Sequence, residues 1–361
     1  MAQNIKRHMK YYIILSYLFI CYLTVFTLFS QTRFEDNVRN KNTLRICFYN
    51  LENLFDPDND SLKNDDEFTP EGLRHWNYNR LNKKTAHLAK AIIAMGGWEA
   101  PELVGICEVE NENVIKKLIY YSPIATYKYK YIHYDSPDER GIDVAMLYRP
   151  DKFEVVYSKA IKVYDAVLGN IPTRDILYIK GVLPHKRKDS LHLFINHWPS
   201  RYSGYAESQE KRIATAKTLR LFIDSLLCID SNSAIVVMGD FNDYPDDVSI
   251  RTYLKVQTNS DSLSAKELLN MMHPFLKKNN IGTHKYAQHW GILDQIMVSQ
   301  PMLNNKNAWQ IRGTAFIFDV PFLLEADEKH MGVKPYRSYY GMKYQGGFSD
   351  HLPVFIDILC H

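Results

Sequence analysis

Polar residues able to do chemistry stand at the ends of apolar runs along this chain. Asn50 and Glu52 follow Leu44–Tyr49, Glu108 follows Leu103–Cys107, Asn196 and His197 follow Leu191–Ile195, Asp240 and Asn242 follow Ala234–Met238, and Asp350 and His351 precede Val354–Ile358. If these runs are strands of one sheet system, their terminal side chains converge on one edge. Acids gathered there repel one another and lose solvation unless a cation sits among them. Carboxylates and an amide are hard oxygen donors, which suit Mg²⁺, Mn²⁺ or Ca²⁺ and not zinc. A divalent ion on such ligands neutralises an anionic phosphoester, and a neighbouring Asp can take a proton from water. Asn donates to a phosphate oxygen without adding charge. A His paired with Asp either holds developing charge or shuttles a proton, and the sequence leaves both roles open.

The elements that must position these residues are readable from period and turn residues. Strands are expected at Leu44–Tyr49, Leu103–Cys107, Ile142–Tyr148, Leu191–Ile195, Ala234–Met238, Ile292–Val298 and Val354–Ile358. Helical spacing runs through Leu81, Leu88, Ile92 and Met95 up to Gly96-Gly97, and through Ile213, Ala216, Leu219, Ile223 and Leu226 behind Ser208. Strands and helices do not alternate strictly. A layered sandwich therefore fits better than a doubly wound sheet or barrel. Taken singly, Gly239-Asp240-Phe241-Asn242 also reads as a turn leaving a buried strand, and Ser349-Asp350-His351-Leu352-Pro353 as an Asp-stabilised turn.

As an ordered set the motifs say more. Phe48-Tyr49-Asn50-Leu51-Glu52-Asn53, Ile106-Cys107-Glu108-Val109-Glu110-Asn111, Asn196-His197-Trp198-Pro199-Ser200-Arg201, Gly239-Asp240-Phe241-Asn242, Leu293-Asp294-Gln295-Ile296 and Ser349-Asp350-His351-Leu352-Pro353 occur in this order. The series resembles the endonuclease/exonuclease/phosphatase superfamily, which includes deoxyribonuclease I, apurinic endonucleases, neutral sphingomyelinases and inositol polyphosphate 5-phosphatases, and the resemblance covers about residues 43–359. It implies an α/β (α+β) four-layer sandwich of two packed β-sheets flanked by helices, and divalent-metal-dependent hydrolysis of a phosphoester. By the same resemblance Glu108 is the principal metal ligand and Asn50 a neighbouring ligand or phosphate contact. Asp240 orients or deprotonates the attacking water, Asn242 holds a phosphate oxygen, and Asp350 binds the metal or one of its ligands. His351 is the catalytic histidine with Asp294 as its carboxylate partner, and His197 matches a second active-site histidine of the deoxyribonuclease I and sphingomyelinase branches.

Further positions carry two readings each. Asp143 is the one polar residue in the apolar run Ile142–Tyr148; it either orients His197 or faces outward on an alternating strand. Arg201 and Tyr202 either reach substrate phosphate or belong to a surface loop. Asp56, Asp58, Asp60, Leu62, Asn64 and Glu67 occupy calcium-loop positions, although Ser61 stands where the turn wants Gly, so a solvated acidic loop is the rival reading. Phe316–Phe348 forms a long insertion carrying Lys334, Arg337, Lys343 and Tyr336, Tyr339, Tyr340 and Tyr344. It reads as a loop that tracks a phosphate backbone, with Arg337 as a substrate contact, or as a packed Tyr-rich surface.

Composition limits what surrounds this chemistry. The chain has 361 residues, 46% hydrophobic, which excludes disorder and a small disulfide scaffold. Its net charge of +3 resides in residues 1–30, where Lys6, Arg7 and Lys10 meet no acid; the remainder holds 41 bases and 41 acids. Whole-protein attraction to polyanions is excluded, so affinity for phosphate must be local. The basic start, the uncharged run Tyr11–Phe29 and Ser30 read as a signal peptide or an uncleaved N-terminal anchor, with export as the consequence. Cys21 falls within that run. Cys47, Cys107, Cys228 and Cys360 are expected as free buried thiols. Residues 1–30 are thus a signal or anchor, 31–42 a short polar lead and 43–361 the catalytic domain. The expected activity is that of an exported phosphodiesterase using Mg²⁺ or Mn²⁺, with Ca²⁺ a further option, acting on nucleic acid. A phosphatase or a sphingomyelinase-like lipid phosphodiesterase is the alternative, and a non-catalytic surface interaction protein a second one. No obligate protein partner is expected, and the membrane enters only through the N-terminal segment.

Overall fold

Alternation of side chains decides how the strands are used. In β8 (Ala234–Asp240) Ile235 and Val237 join Ala216, Leu219 and Ile223 of helix α3 (Tyr205–Ile229) in one buried cluster. The alternate residue Met238 points the other way: an added Cβ on Gly105 of β2 (Leu103–Val109) would lie 3.0 Å from its Cε and 3.3 Å from Ile195. Two sheets therefore meet face to face, with α3 outside the second. The computed structural model describes Arg39 and residues 42–361 apart from 168, 202, 203, 279, 305 and 306. The expected signal or anchor, Cys21 and Tyr202 lie outside the described residues.

The first sheet has six strands. Its centre is β1 (Thr43–Leu54), parallel to β2 and antiparallel to β13 (Val354–Cys360). Outside these lie β12 (Trp309–Ile317) on one side and β4 (Asp143–Tyr148) then β3 (Lys130–His133) on the other. The second sheet has seven strands in the order β9 (Val256–Gln257), β10 (Leu268–Asn270), β11 (Asp294–Ser299), β8, β7 (Lys186–His197), β6 (Ile176–Leu183) and β5 (Glu154–Ile161). Both sheets are mixed, and the expected sandwich of two packed sheets flanked by helices is the architecture found. Helix α1 (Tyr78–Met95) packs against β1 through Leu81, Leu88 and Ile92, begins at Asn77, whose side chain accepts from the Arg80 N–H, and ends at Gly96. The shorter α2 (Glu112–Tyr120) is capped in the same way by Asn111.

All seven expected strands and both helices are present, with boundaries shifted by a few residues. Helix α3 starts at Tyr205, ahead of Ser208. The insertion opens inside β12 and then forms two short hairpins, Leu324–Ala326 with Val333–Pro335 and Tyr339–Tyr340 with Lys343–Tyr344. Cys47, Cys107 and Cys360 are buried free thiols, whereas Cys228 is exposed near the end of α3, which corrects the expectation of four buried ones. Among the described residues no helix is long and apolar enough to cross a membrane.

Gly239 shows how closely the second sheet is drawn together at the site. A Cβ there would lie 2.4 Å from the Asn196 carbonyl oxygen, a backbone atom that cannot swing away. Gly239→Ala is expected to cost about 1–3 kcal/mol, read as a lower urea midpoint at unchanged slope. An unchanged midpoint would refute this packing.

Candidate active site

Strand register brings the polar ends together. Asp240 is directly paired with His197 on the parallel strand β7 and with Asp294 on the antiparallel strand β11, so the three side chains stand in a row on one face. That is the face Met238 shares, turned toward the first sheet. There Asn50 pairs with Cys107, in step with Gly105, and its Nδ2 donates to Asp240 Oδ2 at 3.1 Å and to Glu108 Oε1 at 3.2 Å. Glu108 breaks the alternation of β2: the register shifts between Cys107 and Val109, and its φ is 60°. This bulge frees the carboxylate to accept from the Asn53 N–H at 2.8 Å while staying partly open to solvent.

The two histidines flank one oxygen. His197 Nε2 and His351 Nε2 each lie 3.8 Å from Asp240 Oδ2. His351 Nδ1 is 2.6 Å from Asp294 Oδ2. Burial would lower its pKa, but Asp294 and Asp240 outweigh burial and hold it well above the usual histidine value. His197 goes the opposite way, pushed well down by burial and by the charges of Arg174, Arg140 and His351. One ring is therefore an imidazolium and the other neutral at neutral pH, which separates their chemical roles. Burial, and secondarily Asp294, raise Asp240 to about 6 against the pull of His351.

Four further residues complete the assembly, of which only Glu52 stood among the polar strand ends of the sequence. Glu52, two residues beyond Asn50, is buried and receives the Ser338 N–H at 2.6 Å and Arg337 Nε at 3.3 Å. Burial and then Asp350 raise its pKa. Lys84 lies 3.8 Å from it, buried within the apolar stripe of α1, and donates to Ser338 Oγ and to the Phe348 carbonyl. His284 sits with its ring 4.7 Å from that of His351 and is pushed down to about 4 by burial and by the His351 charge. Arg174 donates to the carbonyls of His197 and Trp198. A charged residue in an apolar helical stripe was the available signal for Lys84; nothing local marks His284.

The remaining expected residues fall as follows. Asp350 accepts from Arg337 Nη2 at 2.7 Å; burial opposes its ionisation, but Arg337, His351 and His284 hold it down at about 2. Asn242 receives no new position: its Nδ2 donates to the Trp198 carbonyl, and its second amide hydrogen is not used in that bond. Arg201 is engaged by the Asn242 carbonyl at 2.6 Å, Asp243 at 2.9 Å and Asp247 at 2.6 Å. Arg337 borders the site with its guanidinium on Glu52 and Asp350. Asp143 does not orient His197. Its carboxylate meets His133 Nε2 at 3.1 Å and the Ser136 N–H at 2.9 Å, while His197 Nδ1 has no hydrogen-bond partner among the described residues. The calcium-loop template also fails to gather: Asp56 takes Asn111, Asp58 takes Tyr78, and Glu67 pairs with Arg74.

Five carboxylates, Glu52, Glu108, Asp240, Asp294 and Asp350, are set against Lys84, Arg337 and His351, which leaves excess negative charge around Asn50. Ligand atoms of Asp240, Asp294 and His351 lie within 4.8 Å of one another, as do those of His284, Asp350 and His351. His351 stands 2.6 Å from Asp294 and 3.8 Å from Asp240, two carboxylates that compete with an ion for its ring. Glu108, whose Oε1 accepts from Asn50 at 3.2 Å and which stays partly open to solvent, is the carboxylate that fits a hard divalent ion.

The profile of the endonuclease/exonuclease/phosphatase family matches residues 45–359. The chain belongs to this family. Its members are phosphoester-hydrolysing enzymes, and this chain is a phosphoester hydrolase. The chain is similar in fold to the human Nocturnin catalytic domain with bound sulfate (15% identity, TM-score 0.53, covering 90% of this chain and 97% of that one). It is likewise similar to an endonuclease/exonuclease/phosphatase family protein from Bacteroides thetaiotaomicron (14%, 0.53, 90% and 100%) and to D. rerio TDP2 complexed with single-strand DNA product (13%, 0.52, 88% and 99%). No curated protein sequence matches it.

The raised pKa of Asp240 has a signed consequence for stability. Its folded value, about 6, exceeds the unfolded carboxylate value, so the protonated form favours folding. That contribution is full below about pH 4 and is lost as pH rises through 6. In chelator-treated protein, Asp240→Asn is expected to be more stable than the parent by about 2–3 kcal/mol at pH 8 and by little at pH 4, measured by urea melts at both. A pH-independent difference would show that Asp240 is not destabilised by its charge.

Proposed function

We propose that this chain is an exported, divalent-metal-dependent phosphodiesterase that hydrolyses nucleic acid. The observation that carries the hydrolytic chemistry is Asp240 Oδ2 flanked at 3.8 Å by both a neutral His197 and a cationic His351. A divalent ion held by Glu108 with Asn50 and Asp350 would neutralise charge on the phosphate. Ionised Asp240 accepts a proton from the attacking water. His351, fixed by Asp294, presents a positive N–H toward the oxygen that gains charge as the ester bond breaks. The free hydrogen of the Asn242 amide holds a further phosphate oxygen. His197 adds a neutral ring that does not compete with the ion for the anionic ligands.

Support for a nucleic acid substrate comes from the neighbouring surface. A cavity of about 150 Å³ opens beside Glu52 and Asn53, lined by Phe68, Trp76, Tyr339, Arg74 and Arg337. Arg74 lies over the Phe68 ring at 4.9 Å and the Tyr339 ring at 5.0 Å. The rings are buried and hold Arg74 in place, so the cavity offers the guanidinium groups of Arg74 and Arg337 to a phosphate next to the scissile bond. Structural similarity to a TDP2 complexed with single-strand DNA product is in keeping with this reading. Export rests on the basic and then uncharged composition of residues 1–30.

The test is a panel of DNA, RNA, sphingomyelin and a p-nitrophenyl phosphodiester with Mg²⁺, Mn²⁺ or Ca²⁺. Cleavage of DNA or RNA that stops with chelator is expected, and Glu108→Gln, Asp240→Asn and His351→Asn should each lower kcat about 10²–10⁴-fold. Arg74→Ala should raise KM for an oligonucleotide about tenfold and leave the p-nitrophenyl diester unaffected, since a hydrogen bond to a charged group is worth about 1.5–3 kcal/mol. Turnover of sphingomyelin or a phosphomonoester without nucleic acid cleavage would replace this substrate assignment.

A further inference from the structure

We propose, resting on the nucleic acid substrate inferred for this site, that the cavity between Arg74 and Arg337 holds the terminal phosphate monoester of the strand, so that cleavage starts from a chain end. Size is the first ground. The cavity measures about 150 Å³. Pockets that enclose a drug-sized ligand run to about 300–1,000 Å³, and one water takes about 30 Å³. A phosphate with a few waters fits this space and a nucleoside does not. Closure is the second. The walls include the buried rings of Phe68, Trp76 and Tyr339. At one end Arg337 joins the cavity to the catalytic centre, its Nη2 on Asp350 at 2.7 Å. At the other end the loop that carries Arg74 is tied to the hairpin of Tyr339–Tyr340 and Lys343–Tyr344: the Tyr339 hydroxyl donates to the Arg74 carbonyl at 2.9 Å, and Arg74 Nη1 donates to the Gly341 carbonyl at 3.3 Å. A strand entering from the catalytic side meets protein at Arg74 and ends there.

The donors left over point to the same ligand. Arg337 uses Nε on Glu52 and Nη2 on Asp350, and Arg74 uses Nη1 on Gly341 and sets Nε 3.1 Å from Glu67 Oε2. Arg337 Nη1 and Arg74 Nη2 make no hydrogen bond among the described residues, and the two side chains are 32% and 18% exposed, so both can be reached. Glu52, the carboxylate in the lining, is already met by the Ser338 N–H, Arg337 Nε and Lys84. A diester in mid-strand carries a single charge. A terminal monoester carries about −1.5 to −2 at neutral pH on three acceptor oxygens, enough to engage two guanidinium groups at once.

Glu52 stands two residues beyond Asn50, whose amide is on Asp240, and Asp350 immediately precedes His351. With the end phosphate seated beside them, the first internucleotide diester is the one presented to Asp240 and His351. The oxygen of water bonds to its phosphorus, one P–O ester bond breaks, the departing sugar oxygen takes a proton, and the terminal nucleotide is released. A cavity that touches one phosphate of a strand passing through is the competing account.

Binding and cleavage separate the two. Full-length Asp240→Asn, treated with chelator so that nothing is cut, is titrated by fluorescence anisotropy with single-stranded DNA and RNA oligonucleotides that carry an internal dye and a 5′-phosphate, a 3′-phosphate or hydroxyls at both ends. One phosphorylated end should bind about tenfold more tightly than the hydroxyl ends, and which one it is gives the polarity of attack. Adding Arg74→Ala should abolish that preference. Because the preference is a ratio within one preparation, partial unfolding of the variant does not move it. With Mg²⁺ or Mn²⁺ the parent should release mononucleotides from the preferred end of a linear strand and leave a circular single strand of the same sequence intact. Equal binding of the three oligonucleotides or no binding, a preference that survives Arg74→Ala, or circles cut as fast as linear strands would each overturn the proposal. Cut circles leave the nucleic acid hydrolase reading standing, whereas end-phosphate binding with no cleavage of either strand overturns that reading and leaves the phosphate pocket standing.

Discussion

The structure is organised around the burial of negative charge. Two strand ladders deliver Asn50, Asp240, Asp294 and His197 to one end of the sandwich, and Glu52 and Asp350 arrive beside them. A buried ion stripped of its partner costs about 3–5 kcal/mol, so the surrounding elements have to supply cations in place. Helix α1 does so with Lys84, set in its apolar stripe. The insertion does so with Arg337, and it also brings the Ser338 N–H to Glu52 and the Phe348 carbonyl to Lys84. What reads in sequence as a surface loop is therefore a part of the site's construction, and its short hairpins serve to hold Arg337 and Ser338 where the acids need them.

The same charge bookkeeping sets two identical side chains to opposite states. His197 and His351 stand equally far from Asp240, yet only His351 has a carboxylate on its other nitrogen. Around His197 the neighbours are Arg174 and Arg140, and its Nδ1 meets no acceptor among the described residues. Chemistry that needs a fixed positive hydrogen-bond donor is thereby assigned to one ring. The other cannot become charged without opposing two guanidinium groups in a buried place.

Much of this was legible in the sequence, because an antiparallel or parallel ladder turns "last residue of an apolar run" into "same edge of the sheet". Asn50, Glu108, His197, Asp240 and Asp350 could be named on that ground, and the ordered motifs identified the sandwich. Partner identity was not legible. Period-two reasoning put Asp143 on a face but could not show that the edge strand would place His133, three residues before Ser136, against it. Template spacing could not show that Tyr78, Arg74 and Asn111 would take the acids of the Asp56–Glu67 stretch. The apolar stripe sets Lys84 apart, but the acid that holds it, Glu52, is brought to it only by the fold.

Backbone strain at the site follows from the same constraint. Regular alternation would point Cys107 inward and turn Glu108 away from Asn50, so β2 has to bulge for the carboxylate to reach the edge. Glu52, Asn53, Glu108 and Asn242 all adopt φ between 50° and 60° without being glycine. Such positions cost of order 1–3 kcal/mol each and persist only where neighbours over-determine them. Here the neighbours are the site's own polar atoms: Asn50 Oδ1 accepts from the Glu52 N–H, Glu108 Oε2 from the Asn53 N–H, and Asp240 Oδ1 from the Asn242 N–H. The carboxylates that create the electrostatic cost thus also fix the backbone that presents them. Neutralising one of them loosens the geometry of the next, which couples the shape of the site to its charge.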